Sequence, residues 1–185
     1  MLRVFHTSLV EIKNPDIYIG RKNADFGQGF YTTENFEFAK GWIKSDSSKK
    51  AIINEYEIDD SSLNIKRFVR NEEWFDYIFS NHRVKKDYLS EYDLIIGPIA
   101  NDTIYNTMGI ITSGFLSRQE ALKLFLVGPE YTQVTIKTDK AVKKLKYISS
   151  TTIMEQDAQN NLTKFLKEEE TYMSEIARVM NEFET

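Results

Sequence analysis

Apolar and polar residues alternate over several short stretches of this chain, and those stretches predict strands. Leu2 to His6 reads as a first strand, and Gly29 to Thr33, rich in aromatic and β-branched residues, as a second. Ala51 to Ile58 sets Ile52, Tyr56 and Ile58 against Ile53, Glu55 and Glu57, the period of a half-buried strand. Tyr92 to Ile99 is a continuous apolar run closed by Gly97-Pro98, which suits a strand covered on both faces. Tyr131 to Thr138 alternates again, and Leu145 to Ser149 supplies a last strand. Helical spacing intervenes over Asn35 to Lys44, where Phe36, Ala39 and Trp42 or Ile43 share a face, and over Glu72 to Tyr88, whose apolar side is Trp74, Tyr77, Ile78 and Phe79. Two further helices are expected at Thr103 to Thr112 and Ser117 to Leu126, while Glu11 to Asn23, with Pro15 and Gly20, reads as loop. Short strands separated by helices predict an α+β domain.

The last segment differs in kind. Leu162, Phe165, Leu166, Met173, Ile176, Met180 and Phe183 recur at helical spacing among Glu and Lys, which predicts an amphipathic helix with a break near Thr171. From Thr151 onward eight acids face three bases, so this tail carries −5 of the net −4 and leaves the first 150 residues at +1. The division expected is a domain over 1–150 and an acidic amphipathic helical tail over 151–185, packed on the body by default or serving an oligomer or partner. A nearly neutral body disfavours binding driven by nucleic-acid phosphates. Lys137, Lys140, Lys143, Lys144 and Lys146 cluster, and are read as a solvated helix face.

Composition narrows the chemistry. With 185 residues the chain fits one domain, and its 41% hydrophobic content supports a packed core. It has no cysteine and only His6 and His82, which excludes disulfides, thiol catalysis and a histidine-rich metal site. No apolar run is long enough for a signal peptide or a bilayer span, so a soluble, cytoplasmic protein is expected.

Candidate chemistry centres on Asp25-Phe26-Gly27-Gln28-Gly29-Phe30-Tyr31-Thr32-Thr33, with His6-Thr7-Ser8 upstream. Its glycines allow a sharp turn and a close backbone approach to a ligand. The same pattern equally describes a hairpin or a bulge. It is not the dinucleotide fingerprint, because no third glycine follows and a strand, not a helix, comes next. Taken singly, His6 suits a structural histidine, Tyr31 and Trp42 suit core aromatics, and Asn101 and Asp102 suit a loop and helix N-cap before Thr103. Arg21 has Asp25 as an alternative partner, and His82 is structural or exposed.

Together with Trp74, Gly97-Pro98-Ile99-Ala100-Asn101-Asp102 and the strand Thr132-Gln133-Val134-Thr135-Ile136, these motifs resemble the His-Tyr-(Glu/Gln) branch of the ADP-ribosyltransferase superfamily, and more narrowly a bacterial domain-of-unknown-function family assigned to it. The resemblance covers roughly residues 1 to 150. It implies split antiparallel sheets with peripheral helices, the C-terminal amphipathic helix added, and NAD as substrate in the cleft between the sheets, with no metal. His6 would hydrogen-bond the adenosine ribose. The Thr7 backbone would hold the nicotinamide amide, where glycine is the commoner family residue. Tyr31 would stack on the nicotinamide and Trp42 complete the sandwich. Arg21, Phe26, Gly29, Asn101 and Asp102 would line the cleft, Arg21 near the pyrophosphate. Gln133 takes the last catalytic position, usually Glu, with Glu130 competing for it.

The implied activity is mono-ADP-ribosyl transfer to a protein or nucleic-acid acceptor, as a bacterial toxin or phage-conflict effector with an antitoxin partner. A glutamine stabilises the positive charge developing on the ribose less than a carboxylate would, so single transfer at a modest rate is expected. Two other readings stay open. One is a catalytically inactive NAD-binding or protein-interaction module; the other is an enzyme resembling an RNA 2′-phosphotransferase.

Overall fold

The computed structural model describes residues 1–42, 51–101, 108–111, 113–153 and 155–183. Its strands are β1 (Leu2–Ser8), β2 (Phe30–Thr32), β3 (Ile52–Ile58), β4 (Ile65–Arg67), β5 (Leu94–Pro98), β6 (Thr132–Ile136) and β7 (Leu145–Thr152). Its helices are α1 (Phe36–Gly41), α2 (Glu72–His82), α3 (Met108–Ile111), α4 (Arg118–Phe125), α5 (Asp139–Val142) and α6 (Glu155–Asn181).

The strands form two sheets, as the α+β expectation requires. One is antiparallel in the order β1-β3-β7; the other runs β2-β6-β5-β4. The second sheet departs from the antiparallel expectation, because β4 pairs parallel with β5 through residues Ile65↔Leu94 to Arg67↔Ile96. A parallel pair needs a crossover, and α2 supplies it. Among the described residues one isolated bridge joins the sheets, where Phe5 and Thr33 exchange backbone hydrogen bonds of 2.8 and 3.0 Å.

Alternation along the central strands sorts the core. Val4, Tyr56 and Ile58 of the first sheet meet Phe30, Leu94, Ile96, Val134 and Ile136 of the second. The opposite face of the second sheet packs Ile95 and Tyr31 on Phe26, Trp74, Phe75, Tyr77 and Phe125. α6 closes this layer: Tyr172, Ile176 and Val179 are buried in it and Phe165, Met180 and Phe183 pack against it, while Leu166 and Met173 of the expected stripe stay exposed.

Several elements end where local chemistry ends them. Asn35 and Asn71 cap α1 and α2 by accepting from Phe38 N and Trp74 N, and Ser117 and Glu120 form a capping box on α4. α2 stops at His82, short of the expected Tyr88. Val84 adopts φ 53°, and its N–H and that of Lys85 return to the carbonyls of Asn81 and Ser80, a left-handed C-terminal closure. α6 runs unbroken through Thr171, whose hydroxyl donates to the Lys167 carbonyl at 3.0 Å and so stays within the helix. The lysine cluster is no helix face. Lys137 is buried against Asp87, Lys140 pairs with Asp93 at 2.7 Å, Lys144 with Asp59 at 3.3 Å, and Lys146 lies in β7. Ile43, Lys44 and most of the helix expected at Thr103 to Thr112 lie outside the described residues. Among the described residues no helix is long and apolar enough to cross a membrane.

Because Tyr172 is 1% exposed within the main cluster, Tyr172→Ala should lower the unfolding free energy by roughly 3–5 kcal/mol, measured by chemical denaturation. Unchanged stability would show that the tail is an appendage.

Candidate functional site

The glycine turn is held in the interior by its own backbone. Gly27 adopts φ +72°, and its N–H closes a turn onto the Ala24 carbonyl at 2.8 Å. A Cβ at Gly29 would stand 2.7 Å from the Ile136 carbonyl, so glycine lets the loop lie against β6. Buried carbonyl and amide groups lose their water and need partners. Here each one named has a partner. The Asn81 amide donates to the Asp25 carbonyl at 2.9 Å, and Lys137 donates to the Phe26 carbonyl. The Tyr77 hydroxyl stands between that carbonyl (3.2 Å) and Asp87 (3.0 Å). The Tyr31 hydroxyl accepts from Phe26 N–H at 3.0 Å and donates to the Gly27 carbonyl at 2.6 Å. Burial, reinforced by the Asp25 charge, pushes the Tyr31 phenol far above its ordinary pKa, so it stays a neutral hydroxyl.

The Asp25 side chain is the hub of this loop. It is 6% exposed and takes donors from three elements: His82 Nε2 at 2.9 Å, Ala100 N–H at 2.8 Å and Gln133 Nε2 at 3.3 Å. Gln133, Tyr31, Phe26 and the chain at Ala100-Asn101 therefore converge. Arg21 is exposed, and the Asp25 carboxylate is engaged by these other groups.

His6 sits where the sheets part. Continuing the Phe5–Thr33 pairing would set Thr7 opposite Tyr31, but the His6 ring takes the Tyr31 carbonyl instead, Nδ1 to oxygen 2.7 Å. A carbonyl only accepts, so Nδ1 carries the proton and Nε2 is the acceptor nitrogen. Burial lowers the His6 pKa, opposed by the Tyr31 carbonyl, which favours this neutral tautomer. The ring lies 4.3 Å from that of Phe30. Strand hydrogen bonding alternates in direction, so Thr7's N–H and C=O point as Phe5's do, toward the split. The Thr7 hydroxyl ties β1 to α1 through the Ala39 carbonyl at 2.6 Å.

Trp42 stands in a separate aromatic row, edge-on to Phe38 at 5.4 Å, with Phe38 stacked on Tyr131 at 4.2 Å. Among the described residues no ring contact joins Tyr31 to Trp42. Tyr131 and Glu130 line an open hollow of about 560 Å³ with Thr33, Glu34, Phe36 and Glu37. The competing positions thus differ in kind: Glu130 is exposed at the hollow's rim and Gln133 is buried against Asp25. Asn101 is buried and donates to the Val127 and Pro129 carbonyls at 2.9 and 2.8 Å. Arg70 holds the Leu126, Gly128 and Pro129 carbonyls of the same loop. Asp102 lies outside the described residues. Among the described residues no group of three His, Asp or Glu is placed to hold a metal.

Sequence reasoning left Asp25, Asn81, Lys137 and Asp87 without a site role. The signal for Asn81 was its place four residues after Tyr77, which puts both polar tips on the face of α2 that meets the loop.

The split sheets and the buried loop define a small α+β domain built around one polar cluster. A family model described as a protein of unknown function (DUF3990) matches residues 2–147, and the chain belongs to that family. No curated protein and no solved structure matches it.

The depressed His6 pKa has a definite sign. Its neutral form contributes stability above the ordinary histidine range, and that contribution is lost as pH falls through the folded value. Between pH 7.5 and 5 the wild type should lose more stability than His6→Gln, read as the pH dependence of thermal unfolding. For the Lys137–Asp87 pair, Lys137→Met should cost about 3–5 kcal/mol, because it strips a partner from Asp87 and from the Phe26 carbonyl.

Proposed function

We propose that this chain is an NAD-dependent mono-ADP-ribosyltransferase. The observation that carries the proposal is the split beside His6: a neutral imidazole with an acceptor Nε2, next to backbone groups of Thr7 directed toward the gap, and Tyr31 on the facing strand. Nε2 would accept from a hydroxyl of the adenosine ribose, and Thr7 would pair with the nicotinamide carboxamide. Tyr31 brings a ring whose hydroxyl is bonded at both ends of the Phe26–Gly27 turn, so its face is held without an ordering cost on binding. Trp42 would cover the nicotinamide from the other side. Gln133 would accept from a ribose hydroxyl, and Arg21 would meet the pyrophosphate.

The reaction breaks the bond between the nicotinamide nitrogen and the ribose carbon, and the electron pair leaves with nicotinamide. A lone pair of the acceptor forms the new bond to that carbon, and the acceptor loses a proton. Charge on the ribose rises at the transition state, so acceptors held near its hydroxyls count there. The family resemblance extends the proposal to a toxin or phage-conflict effector with an antitoxin.

Wild-type protein incubated with nicotinamide-labelled NAD should release nicotinamide. His6→Phe, which keeps the packing on Phe30 and removes Nε2, should raise KM about tenfold or more. Absence of both turnover and NAD binding in the wild type would overturn the proposal.

A further inference from the structure

Gln133 is 4% exposed on β6, opposite Gly97 of β5. Its Nε2 donates to Asp25 Oδ2 at 3.3 Å, and among the described residues no hydrogen bond reaches its Oε1. Among the described residues the enclosed side-chain atoms without a partner are Arg70 Nε, Asn101 Oδ1 and Thr135 Oγ1; Gln133 Oε1 is not one of them, so it keeps an open edge from which a donor can reach it. The orientation of this amide is not arbitrary. A carboxylate surrounded by donors from His82, Ala100 and Gln133 offers only acceptors, so the NH₂ end of Gln133 must face it. Oε1 is thereby turned away from Asp25, fixed as an acceptor.

We infer that Asp25 is a positioning residue that locks the Gln133 amide so that Oε1 receives a hydrogen bond from a ribose hydroxyl of the bound dinucleotide. The ribose part rests on the transferase reading; the lock itself rests on the Asp25–Gln133 contact. The lock also accounts for glutamine at this position. A glutamate would set a second carboxylate 3.3 Å from Asp25, where both cannot readily ionise. Glutamine presents the same acceptor geometry without the repulsion.

The test separates loss of the acceptor from loss of the charge. Ala100 N–H and the Gln133 amide share Asp25 Oδ2, and a backbone N–H only donates, so in Asp25→Asn the side-chain oxygen stays there and Gln133 keeps its orientation. In Asp25→Leu the acceptor is gone and the amide is free to turn. The kcat for nicotinamide release should fall about tenfold or more in Asp25→Leu with KM changed far less, because the lost contact strengthens only at the transition state, and Asp25→Asn should keep most of the rate. A residue that mattered only as a buried charge would lose the rate in both variants. A folded Asp25→Leu as active as wild type, or a folded Asp25→Asn as slow as Asp25→Leu, overturns the inference.

The lock has a readout free of NAD. The Gln133 side-chain amide signals in a nitrogen–proton NMR spectrum, assigned by their loss in Gln133→Glu, should shift in Asp25→Leu; signals left in place overturn the lock whatever the turnover. A wild type that releases no nicotinamide sinks the transferase reading instead and leaves this measurement to decide the lock. If Asp25→Leu does not fold, Gln133→Glu alone reads the contact. Its carboxyl beside Asp25 would have a raised pKa, so its stability relative to wild type should be best at low pH and lost as pH rises. A pH profile parallel to wild type overturns the inference.

Discussion

A loop in a protein interior stands or falls on its backbone hydrogen bonds, and the Asp25–Gly27 segment is such a loop. Phe26 is fully buried, and Asp25 and Gly27 on either side of it are buried too. Each unmet group would cost about 1–3 kcal/mol, a large share of a domain's net stability. The chain meets the demand by sending donors from three places: Tyr77 and Asn81 from α2, Lys137 from the end of β6, and Tyr31 from β2. The positions of α2, β2 and β6 are therefore linked through one turn. A shift of any of them by one residue would leave a carbonyl bare.

The same turn explains which parts of the fold were legible in the sequence. Strands with a clean alternation, such as Ile52–Ile58, and the apolar run through Leu94–Pro98 are written locally, so their periodicity announces them. Caps are local too: the side chains of Asn35, Asn71 and Ser117 close the first turns of α1, α2 and α4. β4 went unseen because Ile65–Arg67 is too short to show a period, and its pairing depends on β5. The end of α2 was also hidden. Val84 is β-branched and gives no sign of the left-handed backbone it adopts; only the bonds to Asn81 and Ser80 explain it. Lys137 looked like one of a row of surface lysines because its partner, Asp87, lies fifty positions away in sequence.

For the site, the sequence pointed to segments that meet in the fold and not to how they are wired. His6 and the Gly-Phe-Tyr strand do meet, but through the Tyr31 carbonyl and not through facing side chains. Tyr31 has a second task besides any stacking, since its hydroxyl secures the turn before it. Trp42 belongs to an aromatic row that leads toward Tyr131 and the acidic hollow. Residue types could not reveal this division, because an aromatic in a core and an aromatic in a cleft look alike in one dimension.

Two polar clamps bracket the start of β6. Behind it, Asn101 and Arg70 hold the carbonyls of the Leu126–Pro129 loop, and Gly128 at φ +85° packs so close to Asn101 and Tyr172 that a Cβ would sit 2.8 Å from each. Beside it, Asp25 holds Gln133. Burial drives down the Arg70 pKa, so keeping its charge inside requires these carbonyls as partners. Buried charges are a weak source of net stability, since apolar groups of equal size can serve as well. What they do supply is direction: a carboxylate fixes where amide nitrogens point, and a guanidinium fixes where carbonyls point. Gln133 lies between the two clamps, on a central strand, with one end of its amide assigned and the other without a partner. A side chain oriented in this way presents a fixed acceptor, and is poorly suited to any task that needs it to turn over.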